Sequence, residues 1–268
     1  MDVGRVKEFA EGLKISLIGA GNVATHLGCA FKKAGADIVS VAARTFSNAE
    51  ILAEMLGAVA LRRVQDTPTD VDIVIIATSD TSVEIVVSEL PAFGGIVVHT
   101  SGSVELGVLA KYHKFCGVLY PLQTFTRGVH IDMSEVPFFT EASDASVHAA
   151  IDKVAGLISN NVYHADSEKR KSLHIAGVFA SNFPVYMLQL AQNVLAVEGY
   201  PFDVVKPLLK ATIEKAIMVG PENALTGPAR RGDKVVIDLH ESRLSRPDAE
   251  IYRVISNAII KKYHSEQN

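Results

Sequence analysis

Hydrophobic and polar positions follow two different periods along the first 166 residues. Short runs of β-branched and other apolar residues predict strands at 13–19, 37–42, 71–77, 95–99, 117–120, 137–140 and 161–164. Between them, apolar residues recur at helical spacing and predict helices at 23–33, 47–56, 81–90 and 145–158, with Gly57 as a C-cap. Repeated strand–helix alternation is typical of right-handed βαβ units, so we predict an α/β fold with a doubly wound parallel sheet.

The strand signals largely stop after residue 166. Helical periodicity then predicts helices at 167–200, 203–219 and 246–263. We therefore predict an α/β domain at 1–166 and an all-α domain at 167–268. Residues 173–197 contain no Asp, Glu, Lys or Arg, but their many polar side chains would be costly in lipid. A helix buried between protein layers or in a homodimer is expected, and no membrane span.

A glycine-rich turn joins the first predicted strand to the first predicted helix. Residues 19–24 are Gly-Ala-Gly-Asn-Val-Ala, the pattern and the context of a dinucleotide-binding Rossmann turn. The first glycine permits the tight turn, and the second lets the backbone approach a pyrophosphate at the helix N-terminus. The predicted pyrophosphate-binding residues are Gly19, Gly21, Asn22, Val23 and Ala24.

The residues after the second predicted strand favour NADP over NAD. Arg44, Thr45 and Ser47 are found where NAD-binding sites usually carry a carboxylate for the ribose 2′-hydroxyl. A guanidinium can pair with a 2′-phosphate, although Arg44 could also be a solvated surface residue. Polar residues that end later strands are predicted to line the ribose and nicotinamide pocket: Thr78, Ser79, His99 and Ser101.

The predicted helix after residue 166 carries a polar stripe within an apolar stretch. At about 100° per residue, Lys171, His174, Ser181 and Asn182 share roughly a third of the circumference. These four are the candidate catalytic residues: His174 could be a general acid, with Ser181 and Asn182 orienting a substrate carbonyl or the nicotinamide amide. The alternative is that these groups form hydrogen bonds with neighbouring helices.

A second polar cluster lies in the Gly- and Pro-rich segment 224–233. Thr226, Arg231 and Asp233 are candidate substrate-binding residues, because a loop between helices can close a pocket and Arg231 could hold a carboxylate or phosphate. Asp233 has an alternative interpretation as a helix N-cap.

Composition excludes several other classes of protein. The 268 residues have a formal net charge of −4, which argues against nucleic-acid binding. No His-Glu-x-x-His or Cys-x-x-Cys occurs, so no metal site is predicted. Cys29 and Cys116 lie in apolar stretches, and two buried thiols indicate a reduced, cytoplasmic protein.

Several motifs together resemble a known family. They are residues 19–24, 78–80, 99–102, 121–125 (Pro-Leu-Gln-Thr-Phe), His174 with Ser181 and Asn182, and 224–228 with 231–233. The chain resembles Rossmann-like NADP oxidoreductases, named coenzyme F420-dependent, that carry a C-terminal helical domain of unknown function. We infer no deazaflavin use from that name. Tyr120 is a departure, because the family commonly has His before the Pro-Leu-Gln stretch.

The chain is more distantly similar to pyrroline-5-carboxylate reductase, ketopantoate reductase and 6-phosphogluconate dehydrogenase. In those proteins the helical domain supplies catalytic residues and much of a dimer interface. The motifs and the resemblance predict an NADPH-dependent oxidoreductase that reduces a C=O or C=N bond of a small, anionic metabolite. The alternative is a non-enzymatic NADP(H)-binding sensor or regulatory protein.

Overall fold

One eight-stranded sheet organises the first part of the chain. The structure, a computed structural model, describes residues 12–264, so the outer ends of both predicted domains lie outside the described residues. The strands are β1 (Lys14–Ile18), β2 (Asp37–Ala42), β3 (Val59–Leu61), β4 (Ile73–Ile76), β5 (Ile96–His99), β6 (Cys116–Pro121), β7 (Phe138–Ala142) and β8 (Val162–His164). Strand β3 is absent from the prediction because three residues are too few to show an alternating pattern.

The strand order is β3-β2-β1-β4-β5-β6-β7-β8. Neighbouring strands from β3 to β6 are parallel, β7 is antiparallel to β6, and β8 is parallel to β7. The α/β class with a mainly parallel, doubly wound sheet is thereby confirmed, with a reversed pair of strands at one edge.

Helices cover both faces of this sheet. They are α1 (Asn22–Lys33), α2 (Phe46–Leu56), α3 (Val83–Glu89), α4 (Gly107–Ala110) and α5 (Ala145–Gly156), and helix α6 (Ser167–Gly177) follows β8. Phe31 of α1, Leu52 of α2 and Ile151 of α5 pack in one buried cluster. Val87 of α3 and Leu109 of α4 pack in another. Burial on both faces explains why all four residues of β4 are apolar.

The predicted helix at 167–200 is interrupted, which corrects that prediction. Helix α6 ends at Gly177, a π-helical segment spans Val178–Asn182, and α7 begins at Phe183. Pro184, in the first turn of α7, has no N–H to donate to the carbonyl four residues earlier and crowds it, which accounts for the break in the α-helical ladder.

The remaining chain is helical, and this confirms the predicted C-terminal architecture. Its helices are α7 (Phe183–Val197), α8 (Lys206–Val219), α9 (Pro221–Ala224), α10 (Pro228–Arg231), α11 (Lys234–Ser242) and α12 (Arg246–His264). Two compact units divide between Ser181 and Asn182. Helix α6 belongs to the first unit because its Arg170 is buried there. The domain boundary at residue 166 stays a prediction.

Two further sequence expectations can be compared with the described residues. No helix within residues 12–264 is long and apolar enough to cross a membrane. Cys116 is buried as expected, whereas Cys29 is exposed, its Sγ 3.6 Å from Sδ of Met55. The expectation of two buried thiols was therefore wrong for Cys29, which lies on the outward side of α1.

Candidate cofactor and active site

A cavity of about 950 Å³ opens at the carboxyl ends of β1 and β4. The strand order reverses between these two strands, and ligands of open α/β sheets bind at such a reversal. Predicted cofactor residues that line it are Gly19, Gly21, Asn22, Val23, Arg44, Thr45, Thr78 and Ser79. Residues that were predicted separately, after several different strands, thus line one cavity.

The two glycines of the turn are needed for different structural reasons. Gly19 has a φ of +122°, and a Cβ there would lie 2.2 Å from the Ala77 carbonyl oxygen. A Cβ on Gly21 would have no neighbour within 4 Å, so its backbone is open to an approaching group. This open backbone at the start of α1 fits a pyrophosphate. Ala24 is fully buried, so it allows helix packing and does not line the cavity.

Three arginines lie at one end of the cavity. Arg44 follows β2, and Arg62 and Arg63 follow β3, whose Leu61 pairs with Ala42 in the parallel register. Arg62 stacks on the Phe46 ring, with Cζ 3.9 Å from its centroid. The sequence prediction missed Arg62 and Arg63 because it missed β3. Two arginines directly after a short apolar run were the available signal.

The partners of these arginines differ. Arg63 donates from Nε to Oδ2 of Asp66 at 3.0 Å, and this contact raises the pKa of Arg63 and lowers that of Asp66. Arg44 forms no ion pair within residues 12–264. Glu89 is the one carboxylate among the described lining residues. An unpaired guanidinium with two others nearby fits the phosphorylated ribose of NADP.

A segment after β6 crosses the glycine turn. The side-chain amide of Asn22 donates to the Phe125 carbonyl at 2.8 Å, and Arg127 donates to the Ala20 carbonyl. Gln123, Phe125 and Arg127 all line the cavity. The motif at 121–125 is part of the family resemblance, but no local pattern indicates that it lies beside the turn.

Three other predicted cofactor residues do not line the cavity. Ser47 is exposed in the first turn of α2. His99 is fully buried, and burial together with the charge of Arg170 lowers its pKa to about 3, so the imidazole is neutral. The Ser101 hydroxyl accepts hydrogen bonds from the Ser103 and Val104 backbone N–H groups at 3.0 Å. His99 and Ser101 therefore shape the loop after β5.

Arg170 fixes that loop to α6 and was missed by the sequence prediction. It is 1% exposed, pairs with Glu141, and donates from Nε to the Ser101 carbonyl at 3.2 Å and from Nη2 to the Val104 carbonyl. A buried charge needs such partners. This network holds α6 against the ends of the strands.

His174, one turn further along α6, contacts the end of β6. Its Nδ1 lies 3.2 Å from the Tyr120 hydroxyl. A Cβ on Gly102 would come within 2.8 Å of His174 Nδ1 and of Tyr120 Cζ, so only glycine allows this packing. Burial raises the pKa of Tyr120, which keeps the hydroxyl protonated and able to donate. His174 itself is exposed.

The other predicted catalytic residues have varied surroundings. Lys171 forms ion pairs with Glu105 at 2.7 Å and Glu168 at 2.8 Å, and these hydrogen bonds raise the pKa of Lys171. The Ser181 hydroxyl donates to the Gly177 carbonyl at 2.7 Å. Asn182 ends the π-helical segment. The 100° spacing behind the predicted stripe does not hold beyond Gly177, because a π-helix turns less per residue.

The predicted substrate-binding residues lie in the second unit. Thr226 and Arg231 are exposed. The Asp233 carboxylate accepts from the Val236 backbone N–H at 3.2 Å and caps α11, which is the alternative that the sequence left open. Substrate binding by these three residues stays a prediction.

Comparisons with known proteins agree with this architecture. A Rossmann-like domain matches residues 6–122, and the domain of unknown function DUF2520 matches residues 136–259. A candidate NADP oxidoreductase from Bacteroides fragilis is 36% identical, with 94% of this chain and 99% of that chain covered and a TM-score of 0.87. The chain belongs to this family of Rossmann-like proteins with a C-terminal DUF2520 domain. A search of curated proteins gave no match.

More distant solved structures share the family's fold. An imine reductase from Myxococcus stipitatus, in complex with NADP⁺, is 19% identical, with 92% of each chain covered and a TM-score of 0.62. A 1-pyrroline-5-carboxylate reductase from Streptococcus pyogenes is 15% identical, with 95% of this chain and 99% of that chain covered and a TM-score of 0.62. The predicted relation to pyrroline-5-carboxylate reductase is thereby confirmed at the level of fold.

Proposed function

We propose that the protein is an NADPH-dependent oxidoreductase that reduces a C=O or C=N bond of a small, anionic metabolite. The cavity carries this proposal, because it is lined by an open glycine turn after β1 and by the unpaired Arg44, with Arg62 and Arg63, after β2 and β3. The imine reductase in complex with NADP⁺ and the 1-pyrroline-5-carboxylate reductase, which share the fold, support reduction of the C=N bond.

The protein's residues divide into binding and proton-donating groups. Gly21, Asn22 and Val23 bind the pyrophosphate, Thr78 and Ser79 line the ribose side, and Arg44 selects the 2′-phosphate. NADPH, when bound, supplies the hydride. His174, protonated on both ring nitrogens, supplies the Nε2 proton to the carbonyl oxygen or imine nitrogen while hydride adds to the carbon. The Tyr120 hydroxyl can accept from Nδ1–H of the imidazolium and can donate to Nδ1 once the ring is neutral.

Nicotinamide fluorescence titration with NADPH and NADH tests the cofactor assignment. The Arg44→Ala variant should bind NADPH about tenfold to a hundredfold more weakly, because it lacks a charge-assisted contact to the 2′-phosphate. Its affinity for NADH should be nearly unchanged. Arg246→Ala, an exposed arginine outside the cavity lining, is the control. Equal binding of both cofactors by the unmodified protein would refute the role of Arg44. A screen of oxo and imino acids for NADPH oxidation then separates an enzyme from a sensor.

We also propose that the protein forms a homodimer through its second unit. Helices α7 and α8 have no buried residues, and large apolar side chains such as Val197, Ile217 and Met218 are at least 80% exposed. Exposed apolar faces of this kind mark association surfaces. Sedimentation velocity should give a dimer that Ile217→Asp converts to monomer.

A further inference from the structure

Two histidines and an aspartate form a cluster at the β8 edge of the sheet, whereas the cofactor cavity opens at β1 and β4. His148 and Asp152 lie one turn apart on α5, and His164 ends β8. One ligand atom from each of the three side chains lies within 4.8 Å of the other two. Two imidazoles therefore converge on a single carboxylate.

The contacts within the cluster hold the three side chains in place. His164 Nε2 lies 2.8 Å from Asp152 Oδ2, and the two imidazole centroids are 4.0 Å apart. The hydroxyl of Thr140, a fully buried residue of β7, donates to Asp152 Oδ1 at 2.7 Å. Outer-shell hydrogen bonds of this kind orient carboxylates that bind metals.

We propose that His148, Asp152 and His164 bind a divalent transition metal of the zinc type. Two imidazole nitrogens and a carboxylate oxygen are ligands that zinc accepts, and His164 is exposed, so water can complete the coordination. Tetrahedral ligands about 2.0–2.1 Å from zinc lie roughly 3.3 Å from each other. The separations of 2.8 Å between His164 Nε2 and Asp152 Oδ2 and of 3.9 Å between His148 Nε2 and Asp152 Oδ1 lie on either side of that spacing.

The competing account is a hydrogen-bond network without a metal. His148 Nε2 lies 3.0 Å from the Thr140 hydroxyl, so a chain from His148 through Thr140 and Asp152 to His164 is already connected. Zinc would replace the imidazole protons that these hydrogen bonds use. Metal affinity should therefore fall as the pH falls, because histidine ligands must be deprotonated.

Zinc calorimetry and cobalt absorption on untagged, chelator-treated protein test the site. We expect one equivalent of Zn²⁺ at micromolar affinity or tighter, and a tetrahedral Co²⁺ spectrum that Zn²⁺ abolishes. His164→Ala and Asp152→Asn should each weaken binding at least about tenfold, and Thr140→Val by about tenfold through the lost outer-shell bond. The control His240→Ala removes another exposed histidine with one 2.8 Å side-chain contact, to Tyr252, and should bind as the unmodified protein does.

The outcomes separate the two accounts. Absence of zinc binding, or binding that neither Asp152→Asn nor His164→Ala weakens, would overturn the proposal in favour of the hydrogen-bond network. Circular dichroism checks that the variants fold, and the exposed position of His164 favours this. Zinc should also raise the thermal midpoint of the unmodified protein but not of His164→Ala. None of these measurements uses turnover or NADPH, so they are independent of the proposed oxidoreductase function.

Discussion

The hydroxyl of Tyr120 lies 3.2 Å from Nδ1 of His174, which links the end of β6 to the exposed face of α6. We expect the neutral imidazole of His174 to carry its proton on Nε2, with Nδ1 accepting from the tyrosine hydroxyl. Nitrogen-15 NMR of the imidazoles, assigned with His174→Ala, should show a protonated Nε2. Tyr120→Phe should produce a mixture of the two tautomers. A protonated Nδ1 in the unmodified protein would reverse the direction of this hydrogen bond.

Turnover should depend on His174 more than cofactor binding does. Once a substrate is found, His174→Ala should lower kcat by two orders of magnitude or more, because general acid catalysis contributes about 10²–10⁴-fold. NADPH affinity should be nearly unchanged, since His174 is not in the lining of the cavity. Tyr120→Phe should reduce kcat less and alter its pH dependence. Loss of NADPH binding by a folded His174→Ala would assign His174 to the cofactor site instead.

The two glycines of the turn should respond differently to alanine. Gly19→Ala should lower the free energy of unfolding by about 1–3 kcal/mol, because of the positive φ and the Ala77 carbonyl. Gly21→Ala should leave stability nearly unchanged and weaken NADPH binding, because its Cβ meets only open space that the pyrophosphate would occupy. Urea unfolding and fluorescence titration measure the two effects. Equal stability losses would contradict this division of roles.

Local patterns in the sequence predicted the parts of the site that depend on local structure. The glycine turn and Arg44 follow strands whose apolar runs are long enough to recognise. Helix capping by Asp233 was one of the two roles that its position in the loop allowed. Arg62 and Arg63 reach the site only because the three-residue β3 pairs with β2. That pairing is a tertiary contact with almost no local signal.

Other parts of the site depend on long-range contacts that a sequence pattern does not encode. Arg170 appears as one more charge on a helix, yet it is buried against the β5–α4 loop. Asn22 is assigned to the pyrophosphate by its place in the motif, yet it also holds the segment at Phe125. The π-helical segment changes the angular positions of Ser181 and Asn182, because periodicity assumes an unbroken α-helix.

Replacing Arg170 should be costly to stability. Arg170→Met leaves the partly buried carboxylate of Glu141 beside a methionine, which cannot form an ion pair with it. We therefore expect the free energy of unfolding to fall by about 3–5 kcal/mol. The control, Lys111→Met, removes an exposed ion pair in which Lys111 Nζ lies 2.8 Å from Glu84 Oε1. It should leave the unfolding free energy nearly unchanged. Similar urea midpoints for both variants would show that the Arg170 network is not a main stabilising contact.

The buried His99 should make stability depend on pH. Its pKa is about 3 in the folded chain and near 6.5 when exposed, so the unfolded chain binds the proton more readily between these values. The stabilising contribution is therefore present above about pH 6.5 and decreases by up to about 1.4 kcal/mol per unit as the pH falls toward 3.

His99→Asn isolates this contribution. The asparagine side chain can still accept from the Ser101 backbone N–H, which lies 3.2 Å from His99 Nδ1, but it does not titrate. Urea unfolding from about pH 7 down to about pH 4.5 should give a shallower pH dependence for the variant, whatever its absolute stability. Parallel curves for the two proteins would mean that His99 becomes protonated in the folded state, with the loop after β5 opening to admit water.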